Sequence, residues 1–266
     1  MIVPDVAAAV RDLTAARRIA RDERRTMRRQ RQGFEQFRKT VAETDPTGVG
    51  GTADHLGASS PGWTTSATLA ADDRCRRVRA AFEELVVPHV DDEATSVRAA
   101  LAAELSTEVA VALAAEGGGN QFTEPLQRAI LEHTDQRLAE SRVMIQALAS
   151  ELDSLDDAIE VLKAVAETLP TVDSSVRLLC EDAELWTRRQ RAASLEADLD
   201  AAIRTRQSTL ESVTATEVKA GIGHDTVVEY LFGDRDTTYP ALDALVRGVR
   251  ECRRRRAALD DALEDG

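Results

Sequence analysis

Residues 145–169, IQALASELDSLDDAIEVLKAVAETL, decide the fold of this chain. Ile145, Leu148, Leu152, Leu155, Ile159, Leu162, Ala166 and Leu169 alternate steps of three and four. That spacing lays one apolar stripe along a helix and matches it to a second helix. Reading outward, nothing interrupts helix between Glu124 and Leu169, and Pro170 closes it. At a rise of 1.5 Å per residue such a helix spans ~70 Å. Asp173 or Ser174 restarts the chain, and the next helix runs to about Lys219 with a looser seam of Leu195, Leu199, Ile203, Leu210 and Val213. Two long helices joined by three or four residues run antiparallel. The expected fold is all-α: an elongated helical bundle built on a long antiparallel coiled-coil hairpin, 124–219.

The flanks read as further helices. From Pro4 to about Val41 the pattern is helical, and it turns basic after Ala16. Residues 45–68, DPTGVGGTADHLGASSPGWTTSAT, are too polar and glycine-rich to offset their ordering entropy and read as a flexible linker, in which Trp63 either docks on a neighbour or lies exposed. Helices are expected from Leu69 to before Pro88, and from Asp91, as cap, to about Glu116, with a break near Ser106 and a stop at Gly117–Gly119. Thr123, followed by Pro125 in the first turn, starts the long helix. After Gly221 and Gly223 come a short element, Val227–Phe232, and a last helix opened by Thr238, Tyr239 and Pro240. No segment alternates with period two between turn signals, so no sheet is expected. The expected division is 1–44 as a basic helix, 45–68 as linker and 69–266 as helical bundle.

Composition narrows the function. Five Phe, two Trp and two Tyr in 266 residues leave little to wall a deep ligand pocket. Of 34 basic residues only Lys39, Lys163 and Lys219 are lysine, and 47 acids give a net charge of −13. Carboxylates in excess and scarce Lys suit a salt-loving archaeon, where a solvated acidic surface maintains solubility; a GC-rich genome is the plainer explanation of the Arg bias. Three scattered cysteines, Cys75, Cys180 and Cys252, argue against a disulfide framework and a zinc site. The N-terminus lacks signal-peptide order, and no run reaches the ~20 apolar residues of a membrane span. A cytoplasmic protein without membrane contact is expected.

Residues 78–133, VRAAFEELVVPHVDDEATSVRAALAAELSTEVAVALAAEGGGNQFTEPLQRAILEH, carry Val87-Pro88-His89 before acids and Phe122-Thr123-Glu124-Pro125-Leu126. Through these motifs the stretch from Val78 to Ala149, with YLFGDRDTTYPALDAL near the end, resembles an uncharacterised all-helical family of haloarchaea, a domain of unknown function. The resemblance covers about half the chain. It implies the helical fold and the saline habitat, and it carries over no catalytic residue, because its motifs are loops and caps.

Candidate sites stay weak. Pro88-His89-Val90-Asp91-Asp92-Glu93 has metal-ligand residue types, but three consecutive acids diverge around a first helical turn and serve as caps. His55, His89, His133 and His224 are scattered and read as surface residues, with His224 before the expected cap Asp225. Arginines beside Cys75 and Cys252 would lower a thiol pKa, although small residues on helix faces explain both cysteines as well. Gly117-Gly118-Gly119-Asn120 follows a helix and lacks the Lys and Ser/Thr of a phosphate loop. No catalytic, cofactor or metal residue is assigned.

Two basic tracts suggest a charged partner: RRIARDERRTMRRQR, with Arg17, Arg18, Arg21, Arg24, Arg25, Arg28, Arg29 and Arg31, and the terminal ECRRRR. The arginines of the first surround their helix and leave no groove-reading face. Concentrated salt would also strip the counterion-release affinity on which phosphate binding rests. The reading preferred here is therefore a non-enzymatic interaction or scaffold protein without cofactor. Its partner is another protein or a second copy, recognised by helix-in-groove docking with the heptad leucines as anchors. The alternative is a nucleic-acid-associated regulator using the basic helix.

Overall fold

The computed structural model describes residues 4–46, 64–90, 96–114, 121–169, 181–211 and 223–264. The chain is an all-α helical bundle, and the described residues include no strand. Its helices are α1 (Pro4–Ala42), α2 (Thr64–Leu85), α3 (Val97–Glu104), α4 (Thr107–Ala114), α5 (Glu124–Thr168), α6 (Asp182–Glu211), α7 (His224–Phe232) and α8 (Pro240–Glu264), with a 3₁₀ turn at Val87–His89. Among the described residues no helix is long and apolar enough to cross a membrane.

Several boundaries follow local chemistry. The break near Ser106 is real: Ser106 Oγ accepts the Val109 N–H at 3.2 Å and starts α4. Thr123 Oγ1 accepts the Leu126 N–H at 3.4 Å at the head of α5, and Pro240 opens α8 where a missing N–H is tolerated. Other expectations shift. Ser96 caps α3 by accepting the Ala99 N–H at 3.2 Å, so this helix starts later than Asp91. α2 begins at Thr64, so residues 64–68 of the expected linker are helical. Trp63, His55, residues 91–95, Gly117–Gly119, Asn120, Ser174, Cys180, Val213, Lys219 and Gly221 lie outside the described residues.

The chain forms two compact units, Met1–Arg24 with Gln146–Gly266, and Arg25–Ile145. In the first unit the N-terminal half of α1 buries Val6, Ala9, Leu13, Ala16 and Ala20. Ion pairs Arg247–Asp12 at 2.7 Å and Arg254–Asp5 at 3.9 Å set it antiparallel to α8, and Arg17–Asp156 at 3.0 Å ties it to α5. α5 and α6 run antiparallel, since Glu151 meets Arg206 while Leu162 and Leu199 both close on Gly248 of α8. The heptad stripe supplies this core: Leu148, Leu152, Leu155, Ile159, Leu162 and Leu169 are buried, and Ile145, of the other unit, is half-buried. On α6 Leu199 is buried, while Leu195, Ile203 and Leu210 are half-buried.

The second unit packs around aromatics. Phe34, Phe37, Phe82 and Phe122 are fully buried with Val78, Leu101 and Ile130. The rings of Phe37 and Phe82 meet edge to face, 5.4 Å apart at 78°. Gly33 lets α1 approach α2: a Cβ there would lie 2.1 Å from the Leu85 carbonyl oxygen. The Gln127 amide donates 2.9 Å hydrogen bonds to the Val41 and Thr44 carbonyls, satisfying acceptors that the end of α1 leaves open.

Candidate functional site

The most concentrated chemistry in the described residues is a buried charge cluster in the first unit. Glu151 of α5, Arg206 of α6 and His224 at the head of α7 are 0%, 2% and 2% exposed. Arg206 grips Glu151 through both terminal nitrogens, at 2.7 and 3.0 Å, and donates to Ser154 Oγ at 3.0 Å. His224 Nε2 lies 2.9 Å from the same carboxylate. Arg206 Nε is buried with no acceptor among the described residues. The cluster fixes α5, α6 and α7 to one register, because any slip would strand a charge away from water.

The sequence contains a signal for this cluster that its reading overlooks. The α6 seam runs through Leu199, Ile203 and Leu210, and Arg206 fills the position between the last two. A polar residue in an apolar seam is a register device. The partner Glu151 sits in a row with Ala147 and Ala158, both buried. His224 was expected at the surface before a capping Asp225; instead Gly223 is the cap residue, Asp225 lies in the first turn, and burial draws His224 inward.

A second cluster absorbs the terminal arginine tract. Arg253 and Arg256 each reach the buried carboxylate of Glu196 at 2.7 Å, while Arg255 at 2.7 Å and Arg254 pair with Glu251. The arginines of ECRRRR therefore pair with carboxylates of the same unit, although Arg253 and Arg254 remain exposed at its surface. Between its arginines and Glu196, Cys252 is fully buried, and burial, then the Glu196 charge, push its thiol up to about 11. The lowering that neighbouring arginines could give does not appear, because burial and the Glu196 charge both act in the opposite direction. Cys75 is likewise buried, inside the aromatic core.

The first basic tract is sorted by burial. Arg17, Arg24 and Arg31, one heptad apart, are half-buried; Arg18, Arg21, Arg25, Arg28 and Arg29 are exposed. The arginines thus do not surround the helix evenly, as sequence alone suggested. His133 is half-buried, and its neighbours Asp135 and Arg137 are committed to Arg38, at 2.5 Å, and to Glu104, at 2.6 Å. His89 ends the 3₁₀ turn, and among the described residues no group of His, Cys, Asp and Glu could hold a metal ion. The buried heptad leucines are spent on the chain's own core, so they are not free to anchor in a partner.

A groove of about 460 Å³ lies between α5 and α6, with Leu245 of α8 also in its lining. Its lining extends from Ser150 to Val161 on one helix and from Asp198 to Thr209 on the other. No curated protein and no solved structure matches the chain. Residues 11–256 match a family described as a domain of unknown function (DUF7260), which spans both compact units, and the chain belongs to that family.

Proposed function

We propose that this chain is a non-enzymatic helical interaction protein, a scaffold that recognises another protein or a second copy of itself through helix packing. The observation that best supports this is the open groove between α5 and α6, which two antiparallel helices hold at constant register. An acid–base catalyst must reach the proton it moves. The His224–Glu151 pair is instead closed in and occupied by Arg206, which suits a lock. The coiled-coil spacing of the heptad stripe serves packing within the chain. The surplus of carboxylates and the scarcity of Lys support a cytoplasmic setting in a salt-loving archaeon.

A second reading, a nucleic-acid-associated regulator, draws on exposed Arg18, Arg21, Arg28 and Arg29 of α1. Removing residues 1–44 would not test it, since that segment supplies buried Val6, Leu13, Phe34, Phe37 and Val41. The test is fluorescence anisotropy of labelled duplex DNA with the full chain and with R18Q/R21Q/R28Q/R29Q, across KCl rising to molar concentration. The scaffold reading expects no saturable binding at high salt. Saturable binding that persists there and disappears in the variant reverses the order of the two readings.

A further inference from the structure

We infer that the α5–α6 groove is a docking site for a cationic amphipathic helix of a partner protein, an inference that rests on the interaction reading above. Its shape comes first. Six residues of each helix line it, spread over positions 150 to 161 and 198 to 209. That is about three turns, or roughly 16 Å, of parallel-sided trough. Ser154, Ala158, Ala201 and Ala202 form a small-residue floor along which a helix backbone can approach closely.

Charge comes next. Asp153, Asp157 and Asp198 stand exposed on the groove walls, and none has a cation partner among the described residues. Elsewhere in the same unit Asp12, Asp156, Glu196, Glu251 and Asp260 each hold an arginine. Carboxylates left open on both walls of one trough complement a helix carrying Arg or Lys along both edges of a small-residue face. The third observation is Arg206, which lines the trough while its buried Nε lacks an acceptor. A short polar residue such as Asn or Ser at the centre of the docked face would sit over Arg206, so the occupant is cationic at its edges and polar at its middle.

The probe is a labelled helical peptide of about four turns, Ala along one face, Asn at its centre and Arg on both flanks, titrated into the full chain by anisotropy. A companion peptide carries Glu in place of Arg. Saturable binding of the Arg peptide alone is expected. D153N/D157N/D198N should weaken it roughly tenfold, the sum of three partly exposed ion pairs. Ala201→Leu, on an exposed position, should block it by filling the floor while circular dichroism and melting stay unchanged. Failure of the Arg peptide to bind, or equal binding to these variants, overturns the inference. If the same substitutions dissolve self-association seen by sedimentation velocity, the occupant is a second copy: the partner-helix assignment falls and the interaction reading stands.

Discussion

The two units solve one problem, fixing several helices in a single register, by different physics. Arg25–Ile145 contains four of the five phenylalanines, all fully buried, and holds its helices by shape. Met1–Arg24 with Gln146–Gly266 has a mostly aliphatic core of Leu, Ile, Val and Ala with one phenylalanine, Phe232, and adds buried charge: Glu151, Glu196, Arg206, His224 and Glu251 are all under one tenth exposed. Aliphatic stripes repeat every heptad, so a helix displaced by one repeat still packs well. A ring that fits one gap, or a charge that finds one partner, does not tolerate that slip. The lesson is that a uniform apolar seam supplies affinity between helices, and irregular residues supply the address.

The largest effects separate the two devices. Arg206→Met leaves Glu151 buried and uncompensated and should cost about 3–5 kcal/mol. Phe82→Ala opens a cavity beside Phe37 and should also cost about 3–5 kcal/mol. The difference lies in rescue. Glu151→Leu and His224→Leu added to Arg206→Met should return the urea midpoint close to its starting value, because an apolar cluster replaces a satisfied ionic one at little net cost. No polar-to-apolar change elsewhere restores Phe82→Ala. A triple variant no more stable than Arg206→Met would show that the cluster contributes energy as well as register.

The next pair of effects concerns close approach. Gly33→Ala drives a Cβ against a backbone oxygen, which cannot rotate away, so a loss of about 1–3 kcal/mol is expected. At Gly248 the nearest atoms, 2.9 to 3.2 Å from a Cβ, are methyl ends of Leu162 and Leu199. These can shift, and Ala favours a helix interior by about 0.5–1 kcal/mol over Gly. Gly248→Ala should therefore move the urea midpoint much less, and an equal loss at both sites would mean that the aliphatic core is as unyielding as the α1–α2 crossing.

How much of this was legible follows the same division. Regular features showed through: the heptad stripe, the break at Ser106, Thr123 at the head of α5 and Pro240 at the start of α8 each rest on a local rule that one stretch of sequence satisfies alone. The Glu151–Arg206–His224 cluster did not, since its members lie 55 and 73 positions apart and come together only once the helices are docked. Its trace was the gap at 206 in an otherwise apolar seam. The partners of the arginine tracts were hidden for a related reason. Counting Arg253–Arg256 reveals a charge run, but the carboxylate that Arg253 and Arg256 share, Glu196, sits on another helix.

The smallest effect compares the two cysteines, each flanked by arginines in the sequence and each buried, one in either unit. Cys252 lies against the Glu196 carboxylate, and its thiol ionises only at about 11 in the native state, raised from 9.0 by burial and then by that charge. The sign follows from which state loses the proton first. Below pH 9 the thiol is protonated folded and unfolded, and stability is unaffected; between about 9 and 11 only the unfolded chain ionises, so stability falls as pH rises. The wild-type urea midpoint should thus drop more between pH 8 and pH 10 than that of Cys252→Ala, a difference the common titration of other groups cannot produce. Cys252 should also resist a thiol reagent at pH 8 until urea unfolds the chain. Equal slopes in the two proteins, or rapid labelling of native Cys252, would mean that the Arg253–Glu196–Arg256 arrangement opens in solution, and that the ionic device is looser than the aromatic one.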